Sequence, residues 1–182
     1  RVDGINGTAN YYGIKQVHTG FEFDGIWELS PFVKLEGMLT LGNYRYGSDV
    51  TASVFDSSRN LIGNSTIYLD GVKVGDAAQT TSRINLVVTP TDLFKFNLSM
   101  FSASDLYSDF NPEDFTDPSD EAMKLPAYEL FDFGASYKLN ISGETIYLRA
   151  NINNIFDNFY FAESSNNYLA GPDDSTYLGI NT

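Results

Sequence analysis

The side chains of this chain that could do chemistry are one histidine, one run of acids and a set of charges spaced two residues apart. His18 is the only histidine. A metal site needs several convergent ligands, so we expect His18 to be a hydrogen-bonding residue. Asp105 to Ala122 holds seven acids and no base. Its core, Asp109 to Glu121, could offer carboxylates to Ca²⁺, but it lacks the glycine of an EF-hand loop, and a solvated acidic loop is favoured.

No arrangement of these residues is typical of an active site. The sequence shows no nucleophile beside a base, no phosphate-binding loop and no carboxylate pair at a defined spacing. It also has no cysteine, which excludes disulfides and thiolate metal sites. We therefore expect no enzymatic activity, no cofactor and no resident metal.

The charge balance excludes one class of partner. Acidic residues outnumber basic residues by 24 to 11, for a net charge of -13. Nucleic acid requires clustered lysine and arginine to neutralise its phosphates, so we expect no nucleic-acid partner. The first residue is Arg1 rather than Met, and no signal peptide is visible, so we expect a processed or partial chain.

Six segments alternate apolar and polar residues with a period of two, which predicts β-strands with one apolar face. They pair into three predicted hairpins: residues 16–29 with a strand from Val33 to about Tyr46, 83–89 with 94–100, and 131–139 with 146–153. One face carries no charge over all six segments, when the second is followed from Val33 to Leu41. The opposite face carries Glu22, Asp24, Lys34, Glu36, Arg83, Lys95, Lys138 and Arg149.

The connections between these strands alternate in length. Tight reversals are predicted near residues 31, 91 and 142, and long connections follow residues 46, 104 and 157. We expect a small hairpin with a type I′ turn at Asp70-Gly71 inside the connection 47–79, and loops at 1–15 and beyond Asp157. All short turns then share one rim of the sheet, and all long loops share the other.

This asymmetry predicts the fold class: all-β, an antiparallel meander forming part of a large transmembrane β-barrel. No run approaches the ~18 apolar residues of a membrane helix, but barrel strands need only about 9 to 11 alternating residues. Trp27, Phe32, Phe94, Tyr137 and Tyr44 lie near predicted strand ends, where interfacial aromatic girdles occur. A soluble β-sandwich, with two such faces packed together, is the alternative.

The segment NINNIFDNFY, residues 151–160, resembles the Asn-x-x-Asn-Leu-Phe-Asp-x-x-Tyr signature near the C-terminus of TonB-dependent outer-membrane receptors. Within it Asn154, Phe156, Asp157 and Tyr160 match, and we expect them to be structural, with Asn and Asp side chains bonding to backbone where the strand leaves the sheet. HTGFEFDGIWEL, LPAYELFDFGASYKL and LYSDFNP resemble further segments of that family.

The resemblance implies that residues 1–182 are a C-terminal barrel segment of about six strands, from a barrel of about 22. A plug domain, an energy-coupling box and a final strand ending in an aromatic residue are absent from this sequence. The implied partners are the TonB complex, reached through the missing N-terminal region, outer-membrane lipid with lipopolysaccharide, and a small-molecule or oligosaccharide solute.

The implied function is active uptake of a scarce solute, such as a siderophore, vitamin, metal chelate or oligosaccharide, across the outer membrane of a Gram-negative bacterium. The residues expected to carry out this function are those of the loops 47–79, 104–124 and 157–182, together with the lumen candidates Glu22, Asp24, Arg83 and Arg149. We expect charges on neighbouring strands to pair with one another or to reach the plug. A passive porin-like barrel and a soluble sandwich binding module are the alternative functions.

Overall fold

A computed structural model describes residues 8–166 and 176–179 of the chain, and within these ranges nearly all regular structure is β-strand. The strands, in chain order, are β1 Thr8–Tyr11, β2 Gln16–Ser30, β3 Val33–Tyr46, β4 Val50–Phe55, β5 Leu61–Ile67, β6 Thr80–Thr91, β7 Phe94–Ser104, β8 Leu106–Tyr107, β9 Lys124–Leu125, β10 Tyr128–Ile141, β11 Glu144–Ile152, β12 Glu163–Asn166 and β13 Thr176–Gly179. A short 3₁₀ helix spans Pro112–Asp114. No helix in the described ranges is long and apolar enough to cross a membrane.

The main sheet is a six-stranded antiparallel meander in the order β2-β3-β6-β7-β10-β11. Each strand pairs with its predecessor along the predicted sequence of hairpins, which confirms the predicted fold class. The sheet does not close within the described residues, so β2 and β11 each present a free edge. Among residues 8–166 and 176–179 no second sheet packs against its apolar face: the Phe21 side chain is 70% exposed and Trp27 is 53% exposed.

The two rims of this sheet differ as the connection lengths predict. Two-residue turns join β2 to β3, β6 to β7 and β10 to β11 on one rim. The last of these is Ser142-Gly143, with φ of 52° and 88°, so both residues are left-handed as a type I′ turn requires. The long connections all leave the opposite rim.

Pro90 belongs to β6 and not to the turn, contrary to the sequence prediction. The register of β6 against β7 shifts between Val88 and Thr91. A bulge tolerates proline, because the missing N–H is not needed where the ladder is interrupted. The turn itself is at Asp92-Leu93.

The long connections contain more structure than the sequence predicts. β4 and β5 form the hairpin of the first one, and β1, predicted as loop, pairs with β4. The turn at Asp70-Gly71 is present but is not a type I′ hairpin turn: of its two central residues only Gly71 is left-handed, with φ of 81°, and Val72 N–H donates to the Leu69 carbonyl. Beyond Asp157, β12 and β13 pair in a stretch predicted to lack strands.

A hydrophobic core lies outside the main sheet, among these connections. Its members are Tyr46, Val50, Ala52, Ile67, Leu69, Val74, Phe110 and Phe115, with Ala9, Tyr11, Ile14, Tyr44, Val72 and Ala122 packed around them. They come from the end of β3, from β1 with its following segment, and from the two long connections 47–79 and 105–127. We call this packed unit the loop head.

The register assigns every residue of the main sheet to one face, since cross-strand partners share a face. The row Leu35, Leu86, Leu98, Phe133 and Ile152 runs across the charge-free face. The row Glu28, Lys34, Val87, Asn97, Gly134 and Asn151 runs across the other. We call these the outer and the inner face.

The outer face is apolar over a limited height. Two rows nearer the loop head than Leu98, the register partners are Leu39, Ser82, Ser102 and Glu129. Toward the short-turn rim, Phe94 stacks on Tyr137 at 4.6 Å, and the Trp27 ring lies against Gly25 and Gly37, where a Cβ would meet it at 3.0 Å. The outer face is therefore an apolar band with aromatic residues at the rim of short turns.

Candidate functional site

The inner face brings the four lumen candidates onto one surface without bringing them into contact. Glu22 and Asp24 lie on the edge strand β2, Arg83 lies on β6, and Arg149 lies on the other edge strand, β11. Asp24 and Arg83 share a row but are separated by Met38 of β3. Neighbouring strands are ~4.8 Å apart, so these side chains form a wall and not a compact pocket.

The charges of this wall are balanced in number but separated in space. β2 contributes only acids, Glu22, Asp24 and Glu28, whereas β6, β7, β10 and β11 contribute four bases and the single acid Asp132. The ion pair on the wall joins Lys34 and Glu36 of one strand at 2.7 Å, and Glu36 also accepts a hydrogen bond from Asn85 of β6 at 2.9 Å. Among the described residues no ion pair joins neighbouring strands of this wall, and the alternative, that these charges reach the plug, stays a prediction.

Two arginines of the wall contact aromatic rings instead of acids. The Arg83 guanidinium lies 5.7 Å from the centre of the Phe101 ring, and Arg149 lies at the same distance from Tyr147. Both rings project from the inner face. An arginine above a ring keeps its N–H donors turned to water, so these guanidinium groups are accessible to a molecule inside a barrel.

The upper part of the wall is less polar than the alternation predicts. Phe101 packs against Tyr128 at 6.1 Å, and Tyr128 packs against Tyr160 at 4.7 Å. Because Phe101 and Tyr128 lie on the inner face, an aromatic patch follows the charged rows toward the loop head.

The loop head joins the sheet on its inner side. Tyr44 and Tyr46 have the inner-face parity of Lys34, and Tyr46 is buried in the loop-head core while Tyr44 packs against it. Tyr44 also stacks on His18 at 4.8 Å. Tyr44 is therefore not part of an interfacial girdle, contrary to the sequence prediction, and the loop head extends over the wall.

Between the two long connections the loop head holds a cleft of about 490 Å³. Its lining includes Asp49, Tyr68, Asp70, Lys73, Tyr107, Asp120 and Glu121. Asp49 is already engaged, because its Oδ1 accepts hydrogen bonds from the backbone of Leu69 and Asp70 at 2.9 Å each. Asp120 is engaged as well, since its Oδ2 accepts a hydrogen bond from Asp117 N–H at 2.8 Å. Asp70, Glu121 and the tyrosines offer acceptors and aromatic faces to a solute. No cluster among the described residues has the grouping of acids and histidines that holds a metal ion.

The acidic run is folded and not merely solvated. Phe110 and Phe115, on either side of the 3₁₀ helix, are buried in the loop-head core with ring centres 4.3 Å apart. Tyr68 N–H donates to the Phe115 carbonyl at 2.9 Å, which ties this run to the other long connection. Most acids of this run are exposed, whereas Asp114 and Asp120 are half-buried.

Ionisable groups of the loop head, two carboxyl groups and one lysine, have shifted pKa values. Partial burial, and then repulsion from Asp109 and Glu163, raise the pKa of Asp76. Partial burial and Glu113 raise the pKa of Asp114. Lys124 pairs with Asp105 at 2.5 Å, and this hydrogen bond raises the pKa of Lys124.

The four residues of the C-terminal motif form a tight turn against β10. Asn154 Oδ1 accepts a hydrogen bond from Asn158 N–H at 2.9 Å, and Asn154 Nδ2 donates to the Asn158 carbonyl at 3.0 Å. Asn154 and Asp157 both have left-handed φ, 48° and 52°. Phe156 and Tyr160 contact rings on the two faces of β10. Part of the loop predicted at 157–182 lies outside the described residues.

Sequence reasoning found the wall and the loops, but not the cleft residues individually. Asp49, Tyr68 and Tyr107 carry no periodic signal, because they lie where regular alternation stops. Two apolar residues inside the acidic run, Phe110 and Phe115, are the sequence signal that could have indicated that this run folds back into a core.

Comparison with protein families gives one match. A family model described as "TonB dependent receptor-like, beta-barrel" matches residues 2–155. No curated protein and no solved structure matches the chain. The matched residues include the whole of the six-stranded sheet with the apolar band of its outer face, and this chain therefore belongs to the TonB-dependent receptor β-barrel family.

Proposed function

We propose that this chain forms part of the barrel wall of an outer-membrane receptor that takes up a scarce solute with energy delivered through TonB. The observation that carries this proposal is the one-sided sheet. Its outer face holds no charge over the apolar band, its inner face holds unpaired acids and bases, and a folded loop head extends over the inner side. Family membership supports an outer-membrane transporter and not an enzyme.

The positions of the residues give the loop head and the inner face of the sheet separate roles in this proposal. The cleft of the loop head supplies carboxylates, tyrosines and Lys73 for first capture of a solute. The wall supplies hydrated charges, including Glu22, Asp24, Arg83 and Arg149, to a plug or to a passing solute. The partners are the TonB complex, outer-membrane lipid with lipopolysaccharide, and a small-molecule or oligosaccharide solute.

The test separates active uptake from passive diffusion. A strain lacking the full-length receptor and a strain lacking TonB are compared with the parent for uptake of labelled ferric siderophores, cobalamin, metal chelates and oligosaccharides. We expect one solute whose uptake is lost in both deletion strains. Uptake that needs the receptor but persists without TonB would indicate a passive porin instead.

A further inference from the structure

The turn of the C-terminal motif, residues 153–160, is held rigidly and yet displays large apolar side chains. Ile155, Phe156 and Phe159 are 40%, 64% and 67% exposed. A rigid segment that exposes aromatic rings presents a permanent apolar surface, and such surfaces mark interaction sites.

Hydrogen bonds to β10 account for the rigidity. Asn154 N–H donates to Asp132 Oδ1, Ile155 N–H donates to the Phe131 carbonyl, and Asn158 Nδ2 donates to the Glu129 carbonyl, each at 2.8 Å. These bonds add to the reciprocal pair between Asn154 and Asn158. The exposed rings therefore have a fixed position above the end of β10.

That position is the boundary of the apolar band that lies nearer the loop head. Phe156 packs edge-on against Phe131 at 5.1 Å, and Phe131 is the last apolar outer-face residue of β10 before Glu129. From Phe131 to Ile141, the last apolar outer-face residue at the other end of β10, is ten residues, about 34 Å along the strand and about 26 Å in height for a strand tilted by ~40°. This height is close to the ~25 Å apolar band of outer-membrane barrels.

We propose that the turn 153–160 is a membrane anchor, whose Ile155, Phe156 and Phe159 side chains lie in the outer leaflet at the boundary between acyl chains and headgroups. The inference rests on the proposed function, since it takes the apolar band to face lipid. The band and the exposed rings form one continuous surface through Phe131. A strand added to the free edge of β11 does not account for this surface, because Phe156 lies over β10, one strand inside that edge.

With Tyr44 on the inner face, the other residues predicted for the aromatic girdles lie on one rim only. Trp27, Phe32, Phe94 and Tyr137 are grouped near the short turns. The turn 153–160 supplies aromatic residues at the opposite boundary, where the strands themselves carry Ser82, Ser102 and Glu129. Aromatic rings at both boundaries fix the height of a barrel in its membrane.

The experiment places a nitroxide label on the turn of the full-length receptor in phosphatidylcholine vesicles. The present chain contains no cysteine, so Phe156→Cys and Phe159→Cys, in a receptor freed of any other cysteine, each give one labelled site. Collision rates with oxygen, which concentrates in lipid, and with a water-soluble nickel complex are measured. Leu98→Cys on the outer face and Phe101→Cys on the inner face are the controls.

We expect the labels at 156 and 159 to show a several-fold higher oxygen-to-nickel ratio than the label at 101, and a shallower depth than the label at 98. A ratio dominated by nickel would place the turn in water, and low rates with both reagents would place it under protein; either result overturns the anchor. A label at 98 that does not meet lipid would instead contradict the proposed function. Phe156→Trp, in a receptor freed of Trp27 and of any other tryptophan and with brominated lipids as quenchers, repeats the test with a bulkier side chain should the cysteine variant not assemble.

Discussion

Gln79 lies just before the first residue of β6, beside the part of β3 that extends past β6. There its side chain replaces a backbone hydrogen-bonding partner. Its own carbonyl accepts from Gly42 N–H, its side-chain Oε1 accepts from Tyr44 N–H at 3.1 Å, and its Nε2 donates to the Tyr44 carbonyl at 2.8 Å. The residue is only 3% exposed. A side-chain amide has the same donor and acceptor as a peptide group, so it continues the ladder.

Replacing Gln79 by Ala should therefore destabilise the junction between the sheet and the loop head. The variant leaves Tyr44 N–H without its acceptor, at a cost of about 1–3 kcal/mol. Hydrogen exchange measured by mass spectrometry should become faster in the peptide containing Tyr44. Gln16→Ala, at the exposed start of β2, is the matched control, and unchanged exchange at Tyr44 in the Gln79 variant would show that the side chain is not needed.

The acidity of Asp76 leads to a pH prediction. Burial and the neighbouring acids raise its pKa in the folded state above the ordinary 3.8, so the folded protein favours the protonated form. The ionised form thus destabilises the loop head at neutral pH, and this penalty disappears as the pH falls through the folded pKa toward 3.8.

Asp76→Asn should raise the midpoint of thermal unfolding of the loop head at pH 7 and change it less at pH 4. Asn also suits the left-handed φ of 55° at this position, but that benefit does not depend on pH. Asp92→Asn, in the turn at the opposite rim, is the control. A stabilisation of equal size at both pH values would contradict the electrostatic cause.

At the scale of elements, the acidic run depends on its two phenylalanines. Phe110 and Phe115 are 7% and 4% exposed, and they join the run to the core formed by the other long connection. A buried Phe replaced by Ala costs about 3–5 kcal/mol. Phe115→Ala should therefore release the run while the main sheet, which shares few contacts with it, stays assembled.

The measurement is limited proteolysis of the intact receptor in detergent, with the cleavage sites read by mass spectrometry. We expect cleavage within residues 105–122 to become faster in Phe115→Ala, with no new cleavage in the six strands. Leu61→Ala removes a 60% exposed apolar side chain of the same loop head and should have no effect. Equal protection of the parent and the Phe115 variant would mean that the ring does not anchor the run.

The sheet could be predicted from the sequence because its signal is local: a period of two sets each face, and short turns set the order of strands. Ser142-Gly143 was recognisable for the same reason. The loop head could not be predicted, because Tyr46, Leu69 and Phe115 meet only through the fold. The turn 153–160 was recognised as a family motif. Its exposed face depends on the contact of Phe156 with Phe131, which cannot be inferred from the spacing of residues in the sequence.

At the scale of the whole molecule, the sheet of the proposed receptor separates lipid on its outer face from water on its inner face. Substitutions that change charge should therefore have different effects on the two faces. The register refines which outer-face positions are deepest. Leu98 lies in an all-apolar row with Leu86 and Phe133, whereas Leu39 lies in the row of Ser82 and Glu129, two outer-face rows nearer the loop head.

Arg in place of Leu98 should cost about 2–4 kcal/mol if the outer face meets lipid, because a cation near the bilayer midplane loses its hydration. Arg in place of Leu39 should cost less, since the penalty falls to about 0–1 kcal/mol near the interface. Arg in place of Leu148, which lies in the same row as Phe94 and Tyr137, should also cost less than Arg in place of Leu98. The outer-membrane abundance of the full-length receptor is the measurement for all three variants.

The inner face supplies the matched comparison. Glu22→Gln and Arg149→Gln remove charges that are hydrated and make no ion pair among the described residues, so abundance should stay at the parent level while solute uptake is measured separately. Because Leu148→Arg and Arg149→Gln lie on the same strand, β11, the position of the strand in the sheet cannot explain a difference between these two variants. If Leu98→Arg accumulates in the outer membrane as well as Arg149→Gln does, the outer face does not contact lipid, and the two-solvent account of this wall is wrong.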